Sequence, residues 1–305
     1  ILMKKEKYLV TGCAGFIGSK LVKSISKKYE VILVDDLSGG SIRNLEKKNR
    51  RKLIRKKIQD FENIKIKNLK GIFHLAAQSS VPISLKDFKK SSSNNITSSI
   101  KVFDLAKKYS IPVVYASSSA VYGNLFMGRD NLENYSITSP YALDKLTLEN
   151  YAKMCQEVFN ISSIGLRLFN VYGPGQNPNN RYSAVIPIFF KKMKKNATVK
   201  INGGYQTRDF IFVEDVVKVM ILSMSKIQDK RKSMILNVGS GKSITINYLY
   251  KIMKKKLRSR SKFVRKKLKK FDPKKSSGNF DKLKRYLSLK KDFFTKLEDG
   301  IQRLN

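Results

Sequence analysis

A tyrosine and a lysine four residues apart could together form an acid–base centre. They are Tyr141 and Lys145, in the segment 139–145 that reads Ser-Pro-Tyr-Ala-Leu-Asp-Lys. On a helix, residues i and i+4 lie on one face, so the phenol and the ammonium group would be neighbours. A free phenol has a pKa of about 10 and is a poor base at neutral pH. A nearby ammonium favours the phenolate, and lowering the pKa by about three units corresponds to roughly 4 kcal/mol.

Hydroxyl groups that follow an apolar run could join the same chemistry. Residues 115–123 read Tyr-Ala-Ser-Ser-Ser-Ala-Val-Tyr-Gly, directly after Val113 and Val114. At the carboxyl end of a parallel strand, such serines face the crevice where ligands bind. One serine can hydrogen-bond a substrate hydroxyl and pass its proton to the tyrosine. The alternative is a serine-rich turn, just as Tyr and Lys at this spacing can be ordinary helix surface.

A glycine-rich segment predicts the cofactor. Residues 11–18 read Thr-Gly-Cys-Ala-Gly-Phe-Ile-Gly after a short apolar run. These glycines permit a tight turn and a close approach to a pyrophosphate, which the following helix N-terminus attracts. Asp35 ends the second apolar run, where a carboxylate accepts ribose hydroxyls and repels a 2′-phosphate. The pattern favours NAD over NADP, and the positive nicotinamide ring would further stabilise a Tyr141 phenolate.

Alternating strands and helices must position these groups. We expect strands at 8–10, 31–34, 71–75, 113–116, 164–169, 199–201, 210–212 and 235–238. We expect helices at 16–25, 95–108, 140–159, 184–194, 215–225 and 246–256, and short helices in the tail. Segment 36–59 predicts loop or short helix, ending in a strand near 54–58. Strands separated by helices indicate a parallel sheet with right-handed crossovers.

The fold class that follows is α/β, a Rossmann-type doubly wound parallel sheet with a smaller mixed α/β substrate domain. We assign the NAD-binding domain to residues 3–170 plus about 209–240. The substrate-binding region is assigned to about 171–208 and 241–305. No long linker or internal repeat separates the two.

Composition narrows the classes of function. No apolar run reaches the roughly 20 residues needed to span a bilayer, and Cys13 and Cys155 suit a reduced compartment. With one histidine and no CxxC pair we expect no metal site. These features predict a cytoplasmic protein without a membrane partner. The net charge is +40, which can serve polyanion binding or simply a solvated lysine-rich surface. We favour the solvated surface and expect no nucleic-acid partner.

The whole set of motifs resembles the extended short-chain dehydrogenase/reductase family, in its NAD-dependent epimerase/dehydratase branch. Within that branch it resembles the UDP-N-acetylglucosamine and UDP-glucose 4-epimerases. The resemblance covers nearly the whole chain. Its motifs are TGCAGFIG at 11–18, DDLS at 35–38, FHLAAQ at 73–78, SSSAVYG at 117–123, SPY at 139–141, RLFNVYGP at 167–174, YSAVIP at 182–187, RDFIFV at 208–213 and NVG at 237–239.

The resemblance implies a role for each matching residue. Ser118, Tyr141 and Lys145 would be catalytic, with the lysine also holding the nicotinamide ribose. His74 is expected to pack rather than react. The residues implied in cofactor binding are Gly12, Gly15, Phe16, Ile17, Gly18, Asp35, Ala76, Ala77, Asn95, Tyr141 and Lys145. The residues implied in substrate binding are Ser79, Ser118, Asn170, Val185, Arg208 and Asp272.

Within the branch, the residues after the catalytic serine favour an epimerase. Sugar dehydratases of the family place Asp-Glu there, and the related decarboxylases place a glutamate nearby, whereas this chain has Ser119-Ala120. The implied reaction moves the C4 hydride of a UDP-sugar to NAD and returns it to the other face. In related epimerases a small residue near the C-terminal aspartate admits N-acetyl groups, so the resemblance implies such a substrate for the small residues at 276–278, with Ser79 and Ser183 adding more small side chains. We therefore expect UDP-GlcNAc/UDP-GalNAc, with UDP-glucose or UDP-glucuronate as alternatives.

Three features depart from the family or stay open. Lys56-Lys57 stand where the family has Gly-Asp beside the adenine, which leaves Asp60 as a candidate there. Lys269 and Phe271 replace an Arg and a Gly near Asp272, so diphosphate contacts are reduced. Family members dimerise through the helices that hold Tyr141 and Asn95, which implies a homodimer.

The alternative hypotheses for the function are an NAD(P)H-dependent keto-sugar reductase and a non-catalytic RNA-binding member.

Overall fold

The computed structural model describes residues 5–61, 66–179, 184–228, 232–269 and 272–304. A core sheet with parallel pairing is built largely from apolar runs of the first half of the chain. In chain order the strands are β1 Lys7–Thr11, β2 Glu30–Val34, β3 Leu53–Ile54, β4 Leu69–His74, β5 Val113–Ser118, β6 Ser163–Leu168, β7 Asn170–Tyr172, β8 Val199–Asn202, β9 Thr207–Phe212, β10 Ser233–Val238, β11 Ser243–Thr245 and β12 Phe263–Lys266.

Helices connect most of these strands. The α-helices are α1 Phe16–Ile25, α2 Lys47–Arg50, α3 Val81–Lys86, α4 Phe88–Tyr109, α5 Pro140–Phe159, α6 Val185–Lys194, α7 Val213–Ile227, α8 Ile246–Lys256, α9 Asp281–Leu287 and α10 Leu297–Gln302. Short 3₁₀ turns lie at Ile42–Asn44, Ile58–Asp60 and Ser119–Tyr122. Within the described residues, no helix is both long and apolar enough to cross a membrane.

The order of the strands sets where a ligand can bind. Among the described residues, seven strands form one sheet in the order β10-β6-β5-β4-β1-β2-β3. β1 pairs in parallel with β2 on one side and β4 on the other, and β4 pairs in parallel with β5. The chain therefore reverses its winding direction beside β1, and in such sheets ligands bind at the carboxyl ends next to this reversal. The expected doubly wound α/β fold is confirmed.

The described residues divide into two units, each with its own core. The first lies within the spans Ile1–Ser118, Pro140–Arg167 and Val217–Leu236. Its core packs strand residues such as Leu9 and Ile72 against Val102 and Leu148 of the covering helices. The second lies within Ser119–Ser139, Leu168–Val216 and Asn237–Asn305.

The second unit contains helices with one mixed and one parallel sheet, which agrees with the smaller mixed α/β domain expected from the sequence. β9 pairs in parallel with β7 and antiparallel with β11, while β8 and β12 pair in parallel. Phe189 of α6 and Leu249 of α8 pack on these strands in a separate hydrophobic cluster. The assignment of NAD binding to one unit and nucleotide-sugar binding to the other stays a prediction.

Two expected elements differ from the structure. α4 begins at Phe88 rather than near Asn95, and Asp87 caps it by accepting a hydrogen bond from the Lys90 backbone at 3.1 Å. Its first turns are polar, so they carry no apolar periodicity, yet Ser91 is buried. The strand expected near 54–58 ends at Ile54, and Ile58 starts a 3₁₀ turn.

Candidate active site

The turn after β1 has the geometry of a dinucleotide cradle. Gly12 has a φ of +68°, and a Cβ there would lie 2.6 Å from the Ala76 backbone nitrogen. Such a residue must be glycine, because both the left-handed backbone and the close approach exclude a side chain. α1 begins at Phe16 directly after Gly15, so its first backbone N–H groups point toward the end of the sheet. A helix N-terminus of this kind attracts a pyrophosphate.

Asp35 closes the cradle at the end of β2. Its Oδ2 accepts a hydrogen bond from the Ala14 backbone at 2.8 Å, and its Oδ1 accepts one from Leu37 at 2.8 Å. Burial raises the pKa of this carboxyl, while the two backbone donors act in the opposite direction. Each carboxylate oxygen has a second lone pair, so the fixed group can still accept ribose hydroxyls. The residues present therefore fit NAD.

The structure brings Ser118, Tyr141 and Lys145 together. The Ser118 hydroxyl hydrogen-bonds the Tyr141 phenol. The Lys145 ammonium donates to the Ala116 carbonyl at 2.7 Å and lies 5.8 Å from the centre of the tyrosine ring. β5 supplies the serine, and α5 supplies the other two from one face. Both α5 side chains are buried.

Burial shifts the pKa values of Tyr141 and Lys145 when no cofactor is bound. It raises the pKa of Tyr141, and the Asp144 carboxylate raises it further, whereas the Ser118 hydrogen bond lowers it. Burial lowers the pKa of Lys145 to about 8 against the opposing effect of Asp144 and Glu149. The sequence led us to expect a lowered tyrosine pKa, and the protein alone does not produce it. A lowered value with the cationic cofactor bound stays a prediction.

His74, the last residue of β4, hydrogen-bonds residues of β1 and α4. Its Nδ1 lies 2.8 Å from Thr11 Oγ1, and its Nε2 lies 3.3 Å from Ser99 Oγ. Thr11 Oγ1 also accepts from the Leu75 and Ala76 backbones at 3.2 Å. The histidine is buried, in agreement with the packing role expected from the sequence. It holds the end of β4 against the glycine turn.

Asn95 hydrogen-bonds the backbone of the loop that lies beside the cofactor cradle. Its Oδ1 accepts from the Gln78 backbone at 2.7 Å, and its Nδ2 donates to the Gln78 carbonyl at 3.1 Å. The same Nδ2 donates to Asp144 Oδ2 at 2.9 Å. Asn95 therefore fixes the loop that carries Ala76 and Ala77 and links it to α5. Sequence reasoning missed Asp144, although a charged residue beside Lys145 at an inward-facing helical position was the available signal.

Some of the residues predicted to bind substrate lie in the second unit and the others lie in the first. In the second unit, Arg208 forms an ion pair with Asp272 and donates to the Thr207 carbonyl at 2.6 Å. Asn170 Nδ2 donates to the Asp209 carbonyl at 3.0 Å, and Val185 is the first residue of α6. Ser79 is exposed in the loop after β4, in the first unit. The predictions for Tyr182, Ser183 and Phe271 lie outside the described residues.

This arrangement can exchange a proton beside a dinucleotide. A buried phenol with a hydroxyl partner can take a proton from a substrate alcohol and return one. The Lys145 ammonium lies on the same side of α5, where a positive charge favours the phenolate. The cradle at the end of β1 and this proton-transfer group belong to the same unit.

Comparison with known proteins places these features in a family. Residues 8–239 match the model of the NAD dependent epimerase/dehydratase family. A putative UDP-glucose 4-epimerase of Methanocaldococcus jannaschii is 37% identical over 254 residues, which cover 81% of each chain.

Solved structures agree with this match. The UDP-N-acetylglucosamine 4-epimerase of Methanobrevibacter ruminantium M1, in complex with UDP-N-acetylmuramic acid, superposes with a TM-score of 0.92. It is 36% identical, with 99% of this chain and 97% of that chain covered. The Thermus thermophilus UDP-glucose 4-epimerase complex with NAD has a TM-score of 0.85 and 25% identity, with coverage of 98% and 97%. The chain thus belongs to the NAD-dependent epimerase/dehydratase family of extended short-chain dehydrogenases/reductases, as an NAD-dependent nucleotide-sugar epimerase.

Proposed function

We propose that the protein interconverts two UDP-hexoses that differ at C4, with UDP-GlcNAc and UDP-GalNAc as the preferred pair. The observation that carries the proposal is the hydrogen bond between the half-buried Ser118 and the buried Tyr141, with Lys145 beside the phenol. Relatives described as UDP-glucose 4-epimerases and as a UDP-N-acetylglucosamine 4-epimerase support the choice of reaction. The segment Ser119-Ala120 supports it too, because it lacks the carboxylates that a dehydratase uses.

Each of these residues has a distinct role in the proposed reaction. Tyr141 removes the proton of the sugar 4-hydroxyl and later returns one, with Ser118 relaying it. Lys145 keeps a positive charge beside the phenol, which stabilises the phenolate. Gly12, Asp35 and the start of α1 hold the cofactor, which when bound supplies the acceptor and donor of the C4 hydride. Because the cofactor is regenerated in each cycle, no second substrate is consumed.

The small residues of segment 276–278 support an N-acetyl substrate through the family resemblance. The segment 276–279 runs beside 126–128, with a bridge between Gly128 and Gly278. A Cβ at Gly278 would lie 2.6 Å from the Phe169 ring, so packing alone explains the glycine at this position. Ser276 and Ser277 are also small, and a small side chain is what the family resemblance associates with an N-acetyl group.

The reaction is tested by incubating the purified protein with a panel of UDP-hexoses and following C4 by NMR. We expect conversion of UDP-GlcNAc to UDP-GalNAc without added NADH, and at a higher rate than conversion of UDP-glucose. Tyr141→Phe should abolish turnover while NAD stays bound. Normal activity of that variant would contradict the proposed role of Tyr141. A stoichiometric need for NADH would contradict the proposed reaction and favour a keto-sugar reductase.

Substrate choice is tested by enlarging the segment 276–277. Ser276→Tyr and Ser277→Tyr are compared with Lys274→Tyr, an exposed position two residues away. At least one of the two serine variants should lose most activity on UDP-GlcNAc and keep activity on UDP-glucose. The lysine variant should keep the wild-type ratio. If neither serine variant changes the ratio, the small residues do not set the preference.

We also propose that the protein acts as a homodimer through α4 and α5, which pack against each other in the first unit. Leu143, Met154 and Val158 are exposed on α5, and Ile100 is exposed on α4. The spacing of the three α5 residues places them on one face of the helix. Analytical ultracentrifugation should show a dimer, and Met154→Lys with Val158→Lys should give a monomer. A monomeric wild-type protein would refute the proposal.

A further inference from the structure

We propose that Asp144 is a positioning residue that sets the pH range over which Tyr141 and Lys145 work and ties them to the loop after β4. The inference rests on the proposed function for its kinetic consequence. Its structural part concerns contacts within the first unit. None of the roles implied by the family resemblance falls on this residue.

Asp144 is a buried carboxylate inside the reacting cluster. It precedes Lys145 on α5, and 3% of its surface is exposed. Its Oδ2 accepts a hydrogen bond of 2.9 Å from Asn95 Nδ2 on α4. A buried carboxylate must be compensated, since burying an isolated charge is costly. Here the amide of Asn95 and the ammonium of Lys145 are the compensating groups.

The hydrogen bond to Asn95 continues to the cofactor side. The other end of the Asn95 amide accepts from the Gln78 backbone at 2.7 Å, and its Nδ2 donates to the Gln78 carbonyl at 3.1 Å. A continuous chain of hydrogen bonds therefore joins α5 to the loop that carries Ala76 and Ala77. Loss of the acceptor at 144 would leave a buried N–H without one partner and loosen this loop.

The charge of Asp144 acts on both reacting groups, because it raises the pKa of Tyr141 and that of Lys145. The other groups around the pair act differently. Glu149 on α5 also favours the charged lysine, but Arg167 of β6 binds its two oxygens at 2.6 and 2.8 Å.

Two further groups face the pair from the sheet. His74 of β4 is neutral, because burial and the positive Lys145 lower its pKa to about 3. Ser118 of β5 lowers the pKa of Tyr141 through its hydrogen bond. Asp144 therefore keeps the buried lysine protonated and makes the tyrosine less acidic. The two effects move the working range in the same direction, toward higher pH.

The expected pH dependence of the rate distinguishes this role from one in packing alone. With the cationic cofactor bound and the Tyr141 pKa thereby brought below that of Lys145, the acidic limb of the rate profile reflects loss of the Tyr141 base. The alkaline limb then reflects loss of the Lys145 charge. Removing the charge at 144 should move both limbs toward lower pH. A residue that only packs would change stability or maximal rate and leave the positions of the limbs unchanged.

The test compares Asp144→Asn and Asp144→Ala with Glu157→Gln as the matched control. Glu157 is an exposed acid on the same helix, paired with Lys153. The asparagine keeps an oxygen for Asn95 but removes the charge. We expect its two limbs to move down by about half a pH unit or more, with the dissociation constant of NAD changed less than about twofold. The alanine should also weaken NAD binding, by roughly threefold or more. Glu157→Gln should show neither effect.

A readout without substrate keeps this inference distinguishable from the proposed function. Tyrosine labelled with carbon-13 at Cζ reports the titration of Tyr141, which Tyr141→Phe identifies by its missing signal. In Asp144→Asn the tyrosine should titrate at lower pH than in the wild type. An unchanged titration, together with a superimposable rate profile, would overturn the role of Asp144. A wild-type protein inactive on every UDP-hexose would instead refute the proposed function, while the titration still decides the role of Asp144.

Discussion

Arg167 and Glu149 form a two-point ion pair in the core of the first unit. The guanidinium Nη2 lies 2.6 Å from Glu149 Oε2, and Nε lies 2.8 Å from Oε1. Neither side chain is exposed, and Ser117 donates a third hydrogen bond to Oε1 at 2.5 Å. Removal of one member leaves the other as an unpaired buried charge, which costs more than the pair itself contributes.

Arg167→Met should therefore lower the free energy of unfolding by about 3–5 kcal/mol. The double variant Arg167→Met with Glu149→Leu should recover most of this loss, because both charges are gone. Urea denaturation followed by circular dichroism measures both. A single variant as stable as the wild type would show that water reaches the pair and that the site is not a sealed core.

Tyr115 carries a hydroxyl that the fold does not use. Among the described residues, its buried OH has no hydrogen-bond partner. Tyr115→Phe should leave the free energy of unfolding unchanged or raise it by up to about 1 kcal/mol. The control is Tyr122, whose OH donates to Asn237 Oδ1 at 2.5 Å. Tyr122→Phe should lose about 1–3 kcal/mol. Equal losses in the two variants would mean that the Tyr115 hydroxyl is solvated after all.

Gly12 is the position where a methyl group should most directly impair NAD binding. Gly12→Ala would place a Cβ 2.6 Å from the Ala76 nitrogen in a backbone with φ of +68°. We expect the dissociation constant of NAD, measured by equilibrium dialysis, to rise at least about tenfold, equivalent to roughly 1.4 kcal/mol. Gly39→Ala is the control, because its Cβ would meet open space. Equal NAD affinity in both variants would refute the cradle.

His74 makes the stability of the protein depend on pH. Burial and then the positive Lys145 lower its pKa to about 3, whereas an unfolded histidine titrates near 6.5. Between these values the unfolded chain binds a proton that the folded chain does not. Stability is therefore full above about pH 6.5 and falls with decreasing pH, by about 1.4 kcal/mol per unit once well below it.

His74→Gln should show a shallower loss of stability between about pH 6.5 and 5 than the wild type. Histidine-selective NMR offers a direct check, since this is the one histidine of the chain. Thr11 Oγ1 accepts two backbone N–H groups and so donates to Nδ1, which predicts the neutral form with the proton on Nε2. A signal that titrates near pH 6.5 would contradict the buried network.

Motifs with a local cause could be predicted from the sequence. α5 and α8 have the expected bounds, because their apolar residues recur at helical spacing. The meeting of Ser118 with Tyr141 was expected from the family resemblance, which gives both residues catalytic roles. Properties that depend on packing could not be predicted. The raised pKa of Tyr141 comes from burial, which no residue type encodes.

Two structural features left no sequence pattern to find. β12 has four exposed residues in a basic segment, so it shows no alternation of apolar and polar positions. The first turns of α4 hide small polar side chains, among them Ser91, which local rules assign to loops. In both cases tertiary contacts decide the structure. The role of Asp144 depends on Asn95, which is 49 residues away in sequence.

The central claim is that hydrogen leaves C4 of the sugar and returns to it within one active site. The most direct measurement incubates the protein with UDP-GlcNAc in deuterated water and follows the C4 position by proton NMR. The account predicts UDP-GalNAc that keeps its original hydrogen at C4, formed without added NADH. Deuterium at C4 of the product, or no product unless NADH is consumed, would contradict it.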